Sequence, residues 1–278
     1  MATVMRGASR ESLDAARDRL DALMSPGTGA GVSPADLGEQ LFAVVDLLDA
    51  QPALRGALTD PSREGSAKAD LVGSLLRGKV SDEALDLVSG MARSRWSAPR
   101  DLADALSDLG VWSVATSADR GGRLDAVEDD VFRFGQVVRA TPELRQALTD
   151  RAAPAEVKGA LVDQLVAGKA APESTVLLRR AVTTPRGVSL EDALGDLERE
   201  VAQRRSRTTA TVVAAVPLTA TQRERLAAAL SQQLGLTVQL NVIVDPAVVG
   251  GLKVTVGDEV LDATLTRRID DARRSITG

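Results

Sequence analysis

The stretch Gly73-Ser74-Leu75-Leu76-Arg77-Gly78-Lys79-Val80 has the glycine and lysine spacing of a loop that cradles nucleotide phosphates. Val80 stands where such a loop needs a serine or threonine to ligate magnesium. No strand signal precedes it, and Leu75 and Leu76 continue an apolar helical face. A second copy of the segment, met below, keeps Gly168-Lys169 but has Asp163 at the first glycine position. A glycine that stops a helix, followed by a lysine that complements the helix dipole, accounts for both copies.

Other chemistries meet similar objections. The 278 residues include no histidine and no cysteine. A Ser-His-Asp triad, a Cys-His nucleophile and an imidazole base are therefore excluded, as are disulfides and His/Cys ligation of zinc, haem or iron–sulfur clusters. Carboxylates number 39, yet no pair falls in an apolar run that would raise its pKa for acid–base work. Arg204-Arg205 with Arg207, Arg267-Arg268 and Arg273-Arg274 form basic clusters near helix ends or on polar faces, where solvated arginine is common. Arg93-Ser94-Arg95-Trp96 reads as a tryptophan packed at a helix end. A net charge of −5 opposes any dominant attraction to phosphate backbones or anionic lipid. The expectation is a protein with no catalytic residues, no cofactor, no metal, no nucleic-acid partner and no direct membrane insertion.

The elements that carry these residues are repeated. Gln51–Asp60 reads QPALRGALTD and Thr141–Asp150 reads TPELRQALTD, identical at seven of ten positions with an offset of 90. The register holds downstream, where Lys68, Leu71, Val72, Leu75, Gly78 and Lys79 face Lys158, Leu161, Val162, Leu165, Gly168 and Lys169. Upstream, Leu41-Phe42 and Leu47-Leu48 face Val131-Phe132 and Val137-Val138. After a two-residue slip, Ala105–Leu109 matches Ala193–Leu197. Only five lysines occur, and four of them sit at these paired positions. Chance resemblance of helices does not place a rare residue this way, so the chain carries a tandem duplication.

Each copy has helix punctuation. Ser33-Pro34 and Thr141-Pro142 put a capping hydroxyl before a proline at the first helical position. Ser81 and Ser189 open later helices in the same way. Leu37, Leu41, Val44, Val45 and Leu48 recur at spacings of three and four, giving one buried stripe. Five or six short helices per copy are expected. The stretch from Arg100 to Asp119 closes the first copy and opens the second, with Gly121-Gly122 as the break. With aromatics at 2%, the core must be Leu, Val and Ala.

Past Arg207 the period changes to that of strands, over Thr209–Val216 and Leu236–Val244. Thr219-Ala220-Thr221-Gln222 is a capping box for a helix between them. Residues 250–262 read as a hairpin turning at Gly257-Asp258, and an Arg-rich amphipathic helix from Thr264 to Ile276 follows. The fold class is therefore multidomain and mostly α, two tandem helical bundles followed by a small α+β module. The expected divisions are 1–105, 106–206 and 207–278.

From Leu106 onward the chain resembles the delta subunit of the F-type ATP synthase, the family of the oligomycin-sensitivity-conferring protein. The resemblance rests on Pro142-Glu143-Leu144-Arg145 with Leu148-Thr149-Asp150, and on an ordered C-terminal set. That set is Ala215-Val216-Pro217-Leu218, Asp245-Pro246, Gly250-Gly251, Gly257-Asp258 and Asp262. Ala263-Thr264 departs from the family's usual Gly-Ser, and the extra first bundle resembles the long form of high-GC Gram-positive bacteria. The resemblance implies a peripheral-stalk subunit at the cytoplasmic face of the cell membrane. In that role the bundle binds N-terminal helices of the alpha subunits and the C-terminal module meets the b-subunit stalk. It further implies an alpha-binding groove near Leu109, Val111, Val114, Val176, Leu177 and Arg179, residues for which filling the bundle's own core is the other available role. A helical repeat adaptor unrelated to the synthase would explain the duplication but leave the Gly-Gly hairpin module without a purpose.

Overall fold

A computed structural model describes residues 5, 7–25, 31–205, 207–234, 237–245, 252–256 and 259–262. Helices α1 (Ala8–Leu23), α2 (Pro34–Ala50), α3 (Pro52–Thr59), α4 (Gly65–Leu76), α5 (Asp82–Arg93) and α6 (Pro99–Arg120) come first. They are followed by α7 (Leu124–Ala140), α8 (Pro142–Thr149), α9 (Ala155–Val166), α10 (Pro172–Thr183) and α11 (Leu190–Arg205). The bounds of α2 to α5 recur in α7 to α10 at an offset of 90 at every start and every end. The duplication thus dictates the helices residue by residue.

Local chemistry explains the boundaries. Ser33 Oγ accepts from the Asp36 amide at 3.1 Å and Ser81 Oγ from Ala84 at 3.2 Å, each satisfying a free first-turn donor. Ser189 does the same for Asp192 at 3.0 Å. Thr141 makes no side-chain cap, contrary to the sequence expectation. It is the single residue joining α7 to α8, and the prolyl residue that follows starts the new helix directly. Gly78 and Gly168, at φ of +75° and +67°, follow the ends of α4 and α9 in the left-handed conformation expected of helix-stopping glycines. Gly73, Leu75 and Leu76 lie inside α4, so the phosphate-loop spacing is a helix and its stop.

The helices from Ala8 to Arg205 form one compact unit. The helix α6, 22 residues long, is its axis. Leu102, Ala103, Ala105, Leu106, Leu109, Trp112, Val114 and Ala115 are all buried, which covers every side of the helix. A helix buried all round has packing partners all round. On one side α6 is the sixth helix of the first repeat, against α1, α2 and α5; on the other it is the first of the second repeat, against α7, α10 and α11. The division expected at 105/106 falls within this continuous helix. Buried hydroxyls on α6 are satisfied, Ser113 by the Pro34 carbonyl at 2.7 Å and Thr116 by the Trp112 carbonyl at 2.8 Å.

The second unit begins beyond Arg205. It contains β1 (Arg207–Ala214), α12 (Ala220–Leu234), β2 (Thr237–Val244), β3 (Leu252–Val256) and β4 (Glu259–Asp262). The sheet order is β2-β1-β3-β4, with β1 and β2 parallel across α12 and the other pairs antiparallel. Ala210, Val212, Val238, Val254 and Leu230 are its core. The capping box forms at the start of α12, where Gln222 N–H donates to Thr219 Oγ1 at 3.3 Å and Thr219 N–H to Gln222 Oε1 at 2.9 Å. The Asp245 amide donates to the Ala214 carbonyl at 2.9 Å, extending the parallel pair to the turn. Asp262 pairs with Lys253 at the end of the β3–β4 ladder. Pro246, Gly250, Gly251, Gly257, Asp258 and the expected C-terminal helix lie outside the described residues.

Candidate partner-binding site

The six residues expected to line a partner groove lie on α6 and α10. Leu109, Val114 and Leu177 are no more than 1% exposed. Val111 and Val176 are half-buried against the core of the second repeat, and Arg179 is exposed in an ion pair with Asp163 at 2.5 Å. The face over Val114 is occupied by the chain's own α2. An added Cβ at Gly38 of α2 would lie 2.6 Å from Val114 Cγ2 and 2.9 Å from the Gly110 carbonyl. Phe42, one turn further along α2, seats its ring in the notch left by Gly110 and joins the core of the second repeat. Arg180 of α10 stacks on that ring at 4.9 Å and pairs with Asp46 at 2.8 Å.

α6 also borders an opening. A cavity of about 300 Å³ lies between α1, α6, α10 and α11, with Val111, Leu177, Ala181 and Leu197 among its apolar lining. Arg17, Asp104, Asp108, Arg186 and Glu200 contribute charge to its wall. Asp108 keeps a little surface toward the cavity while protein encloses it elsewhere. Burial, with the negative charge of Glu200 next to it, raises its pKa to about 8 against the opposing pull of Arg17.

Beside the cavity, a polar cluster ties α1 to α11. Arg17 of α1 pairs with Glu200 of α11 at 2.5 Å. Arg17 and Arg204 both lie over the Trp112 ring, at 5.2 and 5.5 Å, and Trp112 Nε1–H donates to Asp21 at 2.9 Å. Arg204 also donates to Asp119 at 2.9 Å. Across the α6–α7 junction, buried Glu173 accepts from Arg123 Nη2 at 2.5 Å, and that bond holds its carboxyl below the usual range. Phe42, Gly110, Trp112, Arg17 and Arg180 were not marked by the sequence reading. The recurrence of phenylalanine at 42 and 132 is the one signal that pointed to any of them.

Two helical repeats sharing a central helix, followed by a small mixed-sheet module, define a mostly α protein class with an appended α+β module. The model of the ATP synthase delta (OSCP) subunit family matches residues 112–276, beginning within α6. The chain is 48% identical to ATP synthase subunit delta of Streptomyces griseus over 274 residues, 99% of this chain and 100% of that relative. It is 47% identical to the subunit delta of Kineococcus radiotolerans, covering 98% of each chain, and 42% identical to that of Thermobifida fusca, covering 99% of this chain and 100% of the relative. The chain belongs to the ATP synthase delta (OSCP) subunit family, in the long form with a duplicated helical bundle. Among the described residues no helix is long and apolar enough to cross a membrane.

Proposed function

We propose that the protein is a non-catalytic stator subunit that joins the alpha subunits of the catalytic head to the b-subunit stalk. Held in this way, the head cannot turn with the rotor, and proton-driven rotation is coupled to ATP synthesis. The subunit works at the cytoplasmic face of the cell membrane as a peripheral part of the synthase. The observation that carries the reading is the end-to-end similarity to an ATP synthase delta subunit, 48% identical over 274 residues.

In this reading the helical repeats, residues 1–105 and 106–206 about their shared α6, face the head, and the module of residues 207–278 faces the stalk. An N-terminal alpha helix docks by its apolar stripe, as amphipathic helices do in grooves. Of the six groove residues, Val111, Val176 and Arg179 retain surface for it, and the cavity floored by Val111 and Leu177 can take a side chain. Leu109 and Val114 act behind them as packing. Two separate contacts on one chain raise the avidity of the whole attachment. The test uses membranes stripped of this subunit. Proton-driven ATP synthesis should be lost, while the released head still hydrolyses ATP, and adding back the full chain should restore synthesis. Undiminished synthesis in the stripped membranes would overturn the proposal.

A further inference from the structure

The cavity between α1, α6, α10 and α11 has one charged group on its wall that the described chain leaves without a partner. Every arginine that lines it is ion-paired with a carboxylate, and so are Asp104, Asp196 and Glu200. Asp108 makes no ion pair and no side-chain hydrogen bond among the described residues. The cations whose charge reaches it are committed elsewhere. Arg17 of α1 is held by Glu200 of α11 at 2.5 Å, and Arg186, which precedes α11, by Asp104 at 2.7 Å and Asp49 at 3.2 Å. Arg180 of α10 is turned to Asp46 and the Phe42 ring.

The duplication shows which partner is missing. Ala105–Leu109 matches Ala193–Leu197, so Asp108 corresponds to Asp196. Asp196 pairs with Arg199, three positions further along α11, where helix neighbours meet. Three positions beyond Asp108 the residue is Val111, half-buried and apolar. Deprived of an arginine and enclosed by protein, the Asp108 carboxyl keeps its proton near neutrality. Burial, with the charges of Glu200 and Asp104, pushes its pKa up to about 8 against the pull of Arg17 and Arg186.

We propose that this cavity binds a small aliphatic ammonium ion, whose charged end pairs with the Asp108 carboxylate and whose hydrocarbon body lies against Val111, Leu177, Ala181 and Leu197. The ion takes the place beside Asp108 that Arg199 takes beside Asp196. A buried carboxylate is costly unless it is paired, and an ammonium supplies charge and N–H donors together. An anion finds no free cation on this wall, because each arginine already has its carboxylate. The cavity, about 300 Å³, holds on the order of ten non-hydrogen atoms at roughly 30 Å³ each, which suits a chain of about six carbons. Since Asp108 is protonated near neutrality, each ion that binds displaces one proton. An ion held there fills the space offered above to a side chain of the catalytic head; that consequence rests on the stator reading, whereas the binding does not.

The test is calorimetric titration of the isolated full chain with hexylammonium chloride. One ion should bind per chain, more tightly as pH rises toward about 8, with release of a proton. Asp108→Asn, an isosteric change that removes the charge, should weaken binding at least tenfold without lowering the thermal midpoint. Val111→Arg, which supplies the missing internal cation, should abolish binding. 1-Hexanol, with the body and no charge, and ammonium chloride, with the charge and no body, should each bind at least tenfold more weakly. No binding of hexylammonium to the unaltered chain, equal binding by Asp108→Asn, or tighter binding of hexanoate than of hexylammonium would overturn the site. None of these results bears on attachment to the head or the stalk, so the two readings stand or fall separately.

Discussion

Replacing Gly110 by alanine tests how the first repeat is seated on the second. The new methyl would stand 2.4 Å from Phe42 Cε1, 2.7 Å from Cδ1 and 3.0 Å from Cζ. The ring cannot swing clear, since it is 5% exposed and carries the Arg180 guanidinium at 4.9 Å. Alanine in a helix interior is favoured over glycine by about 1 kcal/mol, while overpacking a close helix contact costs roughly 1–3 kcal/mol. With the ring fixed, a contact of 2.4 Å puts the overpacking cost in the upper part of that range, about 2–3 kcal/mol, and a net loss of about 1–2 kcal/mol follows. For a helical unit of this size that is a fall of roughly 3–6 °C in the thermal midpoint. Phe42→Leu removes the ring edge, so Gly110→Ala should become neutral or slightly stabilising in that background. The double-mutant cycle would then give a coupling of about 1–2 kcal/mol. Calorimetry of the four proteins supplies the numbers. A rise in midpoint for Gly110→Ala alone would show that α2 and α6 are not in close contact and would refute the shared-helix packing.

Three further outcomes follow from the charged groups. Asp108 holds its proton in the folded chain up to about pH 8 and releases it earlier when unfolded. Stability should therefore fall as pH rises from the ordinary aspartate range toward about pH 8 and level off above; urea midpoints should lose this fall in Asp108→Asn, and parallel profiles would contradict the assignment. Glu173 is shifted the other way, so the stability it contributes is present above the ordinary glutamate range and is lost as pH falls through its lowered folded value. Glu173→Gln should cost about 1 kcal/mol near neutrality, a modest figure because Arg123 is half exposed, and nothing at pH 2, as read from thermal midpoints at both pH values. Trp112→Phe removes the N–H bond to Asp21 and weakens the stacking of Arg17 and Arg204. It should destabilise by roughly 2 kcal/mol in urea titration, with α1 and α11 exchanging their amide protons faster than α9.

The helices and their order were legible because their signals are local. A hydroxyl before proline, an apolar stripe at helical spacing and a glycine at the end each act within one turn. The duplication added independent confirmation, since Lys68 and Lys158 or Gly78 and Gly168 mark the same structural place twice. What escaped was the partnership between repeats. The duplication already placed the segment from Arg100 to Asp119 at the end of one copy and the start of the next; what it did not show is the close approach of α2 to that segment, which Gly38 and Gly110 allow. The groove residues show the same limit. Periodicity identified Val114 and Leu177 as apolar, but an apolar helical position looks the same whether another chain or α2 of this chain covers it. Arg204 was read as a solvated arginine, yet it is buried, as is Arg17, because Trp112 and three carboxylates receive them. Their partners lie up to 186 positions away in the chain.

Native mass spectrometry of the full chain mixed with subunit-depleted catalytic head and a soluble b-stalk fragment tests the central claim most directly. A single complex containing all three components, absent when the chain is left out, is the predicted result. Head and stalk associating equally well without the chain, or a chain that binds neither, would contradict the account.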